Sequence, residues 1–130
     1  MVGIRHVKLG RKKETRKALF RNLAISLILH EKINTTQVKA KALKPRIECL
    51  VEIAKKGDFN AKRQLTRALD FPPAVLKMTK VIGPRYRERV GGYVRVLRLG
   101  ERRGDNAPLA QISFVESKNS PPQKEVKEKA

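Results

Sequence analysis

The sequence has few acidic residues, a single cysteine and no long hydrophobic run, and these shortages limit the classes of protein to which it can belong. Twelve Asp and Glu stand against thirty-one Lys and Arg, which gives a formal net charge of +19. Cys49 cannot form an internal disulfide, and no group of Cys and His has the spacing of a zinc site. Membrane insertion is not predicted, because no run of about eighteen apolar residues is present to span a bilayer.

Motifs that carry catalysis are also missing. The two histidines, His6 and His30, lie outside any recognisable triad or metal motif. The pairs Gly83-Pro84 and Gly91-Gly92 do not have the glycine spacing of a P-loop or a dinucleotide fold. Cys49 falls within an apolar helical pattern, so we expect it to be buried and unreactive. The sequence therefore predicts a protein without enzymatic activity, cofactor, metal or small-molecule substrate.

The excess of positive charge predicts a polyanionic partner. A compact domain with a net charge of +19 repels itself unless an anion neutralises it, and nucleic acid is the obvious candidate. The length of 130 residues suits one domain. We expect a basic N-terminal arm at 1–14, a single domain at 15–116 and a disordered charged tail at 117–130. The composition of residues 1–21 also allows a mitochondrial presequence, since such peptides are rich in arginine and poor in acids.

Hydrophobic spacing predicts helices in the first half of the chain. We expect the first to begin at Thr15, whose side chain can cap it, and to bury leucines at fourfold spacing. The second should follow a cap at Thr36 and end at Gly57, with a kink or break at Pro45, where proline removes a hydrogen bond.

Two further helical segments are predicted before the pattern changes. Either Asp58 or Asn60 can cap the first of them. The other should begin at Pro72-Pro73 and close at Gly83-Pro84.

The remaining pattern is typical of strands. Residues 32–36 form a short β-compatible run, and Tyr93–Leu99 and Leu109–Val115 are rich in β-branched and aromatic residues. In the last of these runs, Ala110, Ile112 and Phe114 alternate with Gln111 and Ser113. The last two runs should pair as a hairpin across the loop 100–108, with a Gly-Asp-Asn turn at its tip. The predicted fold is α/β of the α+β type, with several helices packed on a small mixed sheet of about three strands.

The strongest functional signal is an arginine stretch at residues 85–103. It holds seven arginines and no lysine, interleaved with Tyr86 and Tyr93. Arginine can hold a phosphate with two hydrogen bonds and stack on a base, and tyrosine can add stacking or 2′-hydroxyl contacts. Core packing explains the two tyrosines equally well. Gly91-Gly92 permits close approach of backbone and phosphate, although a plain turn would look the same.

Two other cationic regions accompany the arginine stretch. One leads into the N-terminus of the first helix, whose free N–H groups also attract phosphate. It comprises Arg5, Lys8, Arg11, Lys12, Lys13, Arg16 and Lys17. The other lies near the start of the second helix and comprises Lys39, Lys41, Lys44 and Arg46.

Four segments carry a resemblance to a known family. They are IRHVKLGRK at 4–12, RKALFRNLAISLILHEKINTT at 16–36, KAKALKPRIECLVEIAKKGD at 39–58, and GPRYRERVGGYVRVLRLGERRGDNAPLAQISFVE at 83–116. Through them the chain resembles the bacterial-type large-subunit ribosomal protein family numbered seventeen, from Ile4 to about Glu116. The last segment is the most specific, because its GPRY, GGY and GDNAP elements occur together and in order.

The resemblance implies a small α/β domain bound to large-subunit ribosomal RNA, on the solvent side near the nascent-chain exit and beside neighbouring ribosomal proteins. It also favours the first segment as part of the mature protein over a presequence. The positions it implies for RNA contact are Arg5, His6, Lys8, Arg11, Lys12, Arg16, Lys17, Arg21, Asn22, Thr35, Thr36, Arg85, Tyr86, Arg87, Arg89, Tyr93, Arg95, Arg98, Arg102 and Arg103. We also predict RNA contacts for Lys13, Lys39 and Lys41, because of their charge alone.

Two alternatives stay open at this level. The segment between the GRK motif and the first helix is shorter than in typical bacterial members, and short arms also resemble those of organellar members. The host is therefore a ribosome in the bacterial cytoplasm or in a mitochondrion. A DNA-binding module, with a middle helix in the major groove, is the alternative function.

Overall fold

The computed structural model describes residues 12–116, so most of the predicted arm and the predicted tail lie outside the described residues. The described chain contains five helical segments, one π-helical turn and three strands. In chain order they are α1 (Lys13–His30), β1 (Lys32–Thr36), α2 (Gln37–Lys56), α3 (Phe59–Leu69), α4 (Pro72–Lys77), the π-helical turn Met78–Ile82, α5 (Gly83–Arg85), β2 (Val94–Glu101) and β3 (Pro108–Phe114). The α+β class is confirmed.

The sheet has the strand order β1-β3-β2 and is antiparallel between all neighbours. We expected a mixed sheet, and this was wrong. Strands β1 and β2 do run in the same direction, but β3 lies between them and pairs with both. The predicted hairpin between β2 and β3 is confirmed, with a bulge between Arg98 and Gly100.

Helix α2 forms the centre of the core. Its buried residues recur at three- and four-residue spacing, as a helix that covers a sheet requires. They are Ala40, Leu43, Ile47, Val51 and Ala54. Opposite them the sheet contributes Ala110, Ile112 and Phe114, which alternate with the half-buried Gln111 and Ser113 as predicted.

The expected break at Pro45 is absent, because α2 runs without interruption from Gln37 to Lys56. Proline removes one helical hydrogen bond. Leu43 and Ile47, on either side of it, are fully buried in the core cluster. Packing on both sides of the proline holds the two halves in one helix.

Helix starts differ from the predictions in one case. Helix α1 begins at Lys13, so Thr15 lies inside it and does not cap it. Asp58 caps α3, where its Oδ1 accepts a hydrogen bond from the N–H of Ala61 at 2.7 Å. Gly57 ends α2 with a φ of +65°, as predicted.

Gly83-Pro84 does not close a helix, contrary to expectation, because the chain continues through the helical turn α5. The glycine serves close packing instead. A Cβ at Gly83 would lie 2.6 Å from the carbonyl oxygen of Ala54, so only glycine lets α5 approach α2. The predicted helix start at Pro72-Pro73 is confirmed.

Cys49 is exposed, so its predicted burial was wrong. The buried face of α2 passes through Ile47 and Val51, and Cys49 lies about 200° around the helix from Ile47. In the described part of the chain, no helix has the length and hydrophobicity needed to span a bilayer.

Candidate nucleic-acid interface

Glu31 joins four parts of the fold. It follows α1 with a φ of +65°, and its N–H donates to the carbonyl of Leu27 at 2.7 Å. Its own carbonyl accepts from the N–H of Phe114 at 3.0 Å. Its carboxylate Oε1 lies 2.6 Å from Nη2 of Arg85 and 3.8 Å from Nζ of Lys77. These contacts stabilise a left-handed backbone conformation that is uncommon for glutamate.

Arg85, which was predicted to face RNA, lies inside the protein. Its side chain is 6% exposed and is paired with Glu31 inside the protein. Burial of the guanidinium lowers the pKa of Arg85, but hydrogen bonds to Glu31 and Tyr86 outweigh that effect and leave the pKa raised. A phosphate could reach this guanidinium only by displacing a partner that the fold needs.

Tyr86 and Tyr93 are buried as well, which agrees with the core-packing alternative left open by the sequence. Their ring centroids are 5.5 Å apart. The hydroxyl of Tyr86 donates to the carbonyl of Val115, and that of Tyr93 donates to the carboxylate of Glu52. Burial raises the pKa of Tyr86. Neither ring is available to stack on a base.

Lys55 fixes the turn that follows Tyr86. Its Nζ donates to the carbonyl of Arg89 at 2.6 Å and to the hydroxyl of Tyr93 at 2.8 Å. Gly91 and Gly92 have φ values of +72° and +63°, so the turn requires their conformational freedom. The side chains of Arg87 and Arg89 stay exposed beside this anchored backbone.

The first turns of α1 extend beyond the core. No residue from Lys13 to Leu19 is buried, and the first buried residue is Phe20. Lys12, Lys13, Lys17, Arg21 and Asn22 are exposed, and Arg16 is half-buried. Within residues 12–116, no side chain caps this helix start, so its N–H groups and its cations both favour an anion. The predicted contacts Arg5, His6, Lys8 and Arg11 lie outside the described residues.

The start of α2 presents fewer cations than the sequence suggested. Lys41 is exposed, whereas Lys39, Thr35 and Thr36 are half-buried. Thr36 occupies the predicted cap position, but its side chain makes no cap hydrogen bond among the described residues. Arg46 covers the core, with its guanidinium carbon 4.3 Å from the ring centroid of Phe20.

The hairpin brings predicted residues together through strand register. Arg98 and Thr35 flank Ala110 in one row across the sheet. Arg95 and Lys32 flank Ser113 in another row, so their backbones lie about 10 Å apart. Sequence reasoning missed Lys32, because only the pairing of β1 with β3 places it beside the arginine stretch.

An ion pair organises the hairpin tip. Nε of Arg102 lies 3.1 Å from Oδ1 of Asp105, and its Nη2 lies 2.5 Å from Oδ2. The hydrogen bond from Arg102 and a second from the N–H of Ala107 lower the pKa of Asp105 to about 2. Gly104 and Asn106 have positive φ values, as the predicted turn requires. The exposed Arg102 and Arg103 therefore extend from a defined loop.

The chain is similar to known ribosomal proteins over most of its length. A family model described as ribosomal protein L17 matches residues 19–115. The large ribosomal subunit protein bL17 of Cereibacter sphaeroides is 53% identical over 109 residues, which cover 84% of this chain and 78% of that protein. The protein of the same name from Methylocella silvestris is 50% identical over 114 residues, covering 88% of this chain and 80% of that protein. The chain therefore belongs to the ribosomal protein L17 family.

Proposed function

We propose that the protein is a structural constituent of the large ribosomal subunit that binds and stabilises large-subunit ribosomal RNA. Its role is to neutralise and hold RNA segments beside neighbouring ribosomal proteins, without catalysis. Membership of the ribosomal protein L17 family supports this assignment. The bacterial origin of its relatives favours a ribosome in the bacterial cytoplasm over an organellar one.

The observation that carries the proposal is unneutralised charge. Within residues 12–116, the cations that form ion pairs are Lys55, Lys77, Arg85 and Arg102. The exposed arginines of the stretch that form no ion pair there are Arg87, Arg89, Arg95, Arg98 and Arg103. Charges left open by the fold are available to phosphate, and folded RNA supplies phosphates along an extended surface.

The proposed RNA-facing surfaces are the start of α1, the start of α2 and the exposed part of the arginine stretch. In the described chain they comprise Lys12, Lys13, Arg16, Lys17, Arg21, Asn22, Thr35, Thr36, Lys39, Lys41, Arg87, Arg89, Arg95, Arg98, Arg102 and Arg103. Arg5, His6, Lys8 and Arg11 belong to the same proposal. Arg85, Tyr86 and Tyr93 contribute indirectly, because they hold the turn that carries Arg87 and Arg89.

A salt wash of the large subunit tests the proposal. Wild-type protein should co-sediment with the subunit through moderate salt, and Arg95→Ala/Arg98→Ala should be released at lower salt because two phosphate contacts are lost. The matched control is Lys56→Ala/Lys80→Ala, which removes equal charge from exposed positions outside the proposed surfaces. The control should behave as wild type.

Two results would contradict the proposal. One is wild-type protein found only in the ribosome-free fraction. The other is equal competition by duplex DNA and by structured RNA for the bound protein, which would favour the DNA-binding alternative.

A further inference from the structure

A groove between α1 and α3 carries cations that belong to none of the three proposed surfaces, apart from Arg21. It is open to solvent and has a volume of about 470 Å³. We call it the α1–α3 groove, and it is lined by residues that include Arg21, Phe59, Lys62, Arg63, Arg67 and Asp70.

The periodicity of α3 creates one wall of this groove. Ala61, Leu65 and Leu69 are buried in the body of the protein. Residues 59, 63 and 67 follow one another at four-residue spacing and share a different face. Phe59 therefore falls on the exposed side of the helix, where its side chain is 74% exposed.

An isolated exposed apolar residue is ordinary, but the surroundings of Phe59 are not. Four cationic side chains line the groove with it, against the single carboxylate of Asp70. None of the four forms an ion pair within residues 12–116. The guanidinium carbon of Arg63 lies 6.0 Å from the ring centroid of Phe59. The groove thus combines an open aromatic ring with uncompensated positive charge.

These two features together select the occupant. Inorganic phosphate, or a peptide with acidic side chains alone, would satisfy the cations but would make no use of the aromatic ring. A nucleotide supplies both an anionic phosphate and a flat base, and a base stacked on phenylalanine is a common mode of single-strand recognition. The volume lies within the range of small-molecule sites, so it admits one nucleotide.

We propose that the α1–α3 groove binds an unpaired nucleotide of large-subunit RNA, with its base stacked on Phe59 and its phosphates held by Lys62, Arg63 and Arg67. This inference rests on the proposed function and adds to it a fourth surface that recognises single-stranded RNA. Asp58 caps the start of α3 by accepting from the N–H of Ala61, so we expect the phosphate contacts to come from side chains. Paired RNA would not fit, because its bases are stacked within the helix.

A fluorescence titration of the full chain tests the groove directly. The sequence contains no tryptophan, so Phe59→Trp introduces a single indole whose emission is quenched when a base stacks on it. The probes are single-stranded oligoadenylate and an RNA duplex of equal length. Single-stranded RNA should quench the emission strongly and the duplex weakly. Leu76→Trp, at a half-exposed position of α4 outside every proposed surface, is the control and should show little change with either.

Two variants separate stacking from charge. Phe59→Ala should lower the affinity for oligoadenylate by about five- to a hundredfold, because stacking on an aromatic ring contributes much of single-strand affinity. Arg63→Ala/Arg67→Ala in the Phe59→Trp background should weaken binding and flatten its salt dependence. Phe59, Arg63, Arg67 and Leu76 are all exposed, so circular dichroism should show unchanged helix content in every variant.

The outcomes distinguish this inference from the proposed function. Two results would reject nucleotide binding in the groove but leave the proposed function intact, provided that the protein still binds large-subunit RNA normally. One is Phe59→Trp emission that single-stranded RNA does not quench, and the other is full affinity of Phe59→Ala for oligoadenylate. Equal quenching by duplex and single strand would also overturn the inference. Loss of a protein neighbour from the subunit, with RNA affinity unchanged in Phe59→Ala, would assign the groove to a protein instead. Failure of the wild-type chain to bind large-subunit RNA would reject the proposed function itself.

Discussion

Two arginine–carboxylate pairs lie at opposite ends of the arginine stretch and differ in burial. Arg85 and Glu31 approach to 2.6 Å with side chains 6% and 18% exposed. Arg102 and Asp105 approach to 2.5 Å with side chains 52% and 55% exposed. The distances are nearly equal, so contact geometry alone does not separate the two pairs. Burial separates the two pairs, because removing one partner leaves a charge that water cannot solvate only in the protein interior.

The comparison shows that one residue type serves two purposes within a short segment. Arg85 fastens α5 to the end of α1 and thereby supports the turn that follows. Arg102 shapes a loop tip, and its arginine neighbours remain open to an external anion. Arginine content predicted a polyanion partner for the whole stretch, whereas the fold buries Arg85 and leaves the other six arginines exposed.

Removing the buried guanidinium should have the largest effect. Arg85→Ala should reduce the free energy of unfolding by about 3–5 kcal/mol, because it removes a buried guanidinium and leaves the Glu31 carboxylate with the more distant Lys77 at 3.8 Å. Urea unfolding followed by circular dichroism measures the loss. The exposed Arg87→Ala is the matched control and should shift the midpoint little. Equal midpoints for the two variants would contradict the distinction between the buried Arg85 and the exposed arginines of the stretch.

A smaller loss of stability should follow from removing one hydroxyl. Tyr86→Phe keeps the buried ring and deletes the hydroxyl's hydrogen bonds to the carbonyl of Val115 and with Arg85, which should lower the free energy of unfolding by about 1–2 kcal/mol. RNA affinity should stay at the wild-type value under conditions where the protein is folded. A fall in affinity with unchanged unfolding would instead place Tyr86 at the RNA.

The exposed ion pair of Arg102 and Asp105 should change the pKa of Asp105 more clearly than it changes the free energy of unfolding. The folded pKa of Asp105 is about 2, below its ordinary value of 3.8, so the contribution of the pair is present above about pH 4. It is lost as the pH falls from about 4 through about 2, where the carboxylate is protonated. NMR of the Asp105 carboxyl carbon should show this low midpoint, and Arg102→Ala should move it towards 3.8. A wild-type midpoint near 4 would show that the pair does not persist in solution.

Local patterns in the sequence predicted much of the fold. The periodicity of α2, the cap at Asp58 and the alternation of β3 each depend on neighbours in the chain, and all are observed. The uninterrupted helix at Pro45 was not predicted, since it depends on packing against distant strands. The order β1-β3-β2 likewise depends on a long-range pairing that no local spacing encodes.

The candidate site was less predictable for the same reason. Arg85 and Arg87 look alike in the sequence, and only the position of Glu31 at the end of α1 removes one of them from the surface. Lys32 lies beside the arginine stretch only through strand register, and Phe59 becomes notable only once Arg21 is seen across the groove. Residue type predicts the chemistry of a site, whereas tertiary packing decides which residues take part.

The salt dependence of binding tests the central claim, that exposed cations of this chain neutralise large-subunit RNA. For about eight phosphate contacts, the logarithm of affinity should fall with the logarithm of salt concentration at a slope of about −6 to −7. Arg95→Ala/Arg98→Ala should flatten that slope by about 1.4 to 1.8, whereas Lys56→Ala/Lys80→Ala should not. A wild-type slope near zero, or an identical slope in all three proteins, would contradict the account.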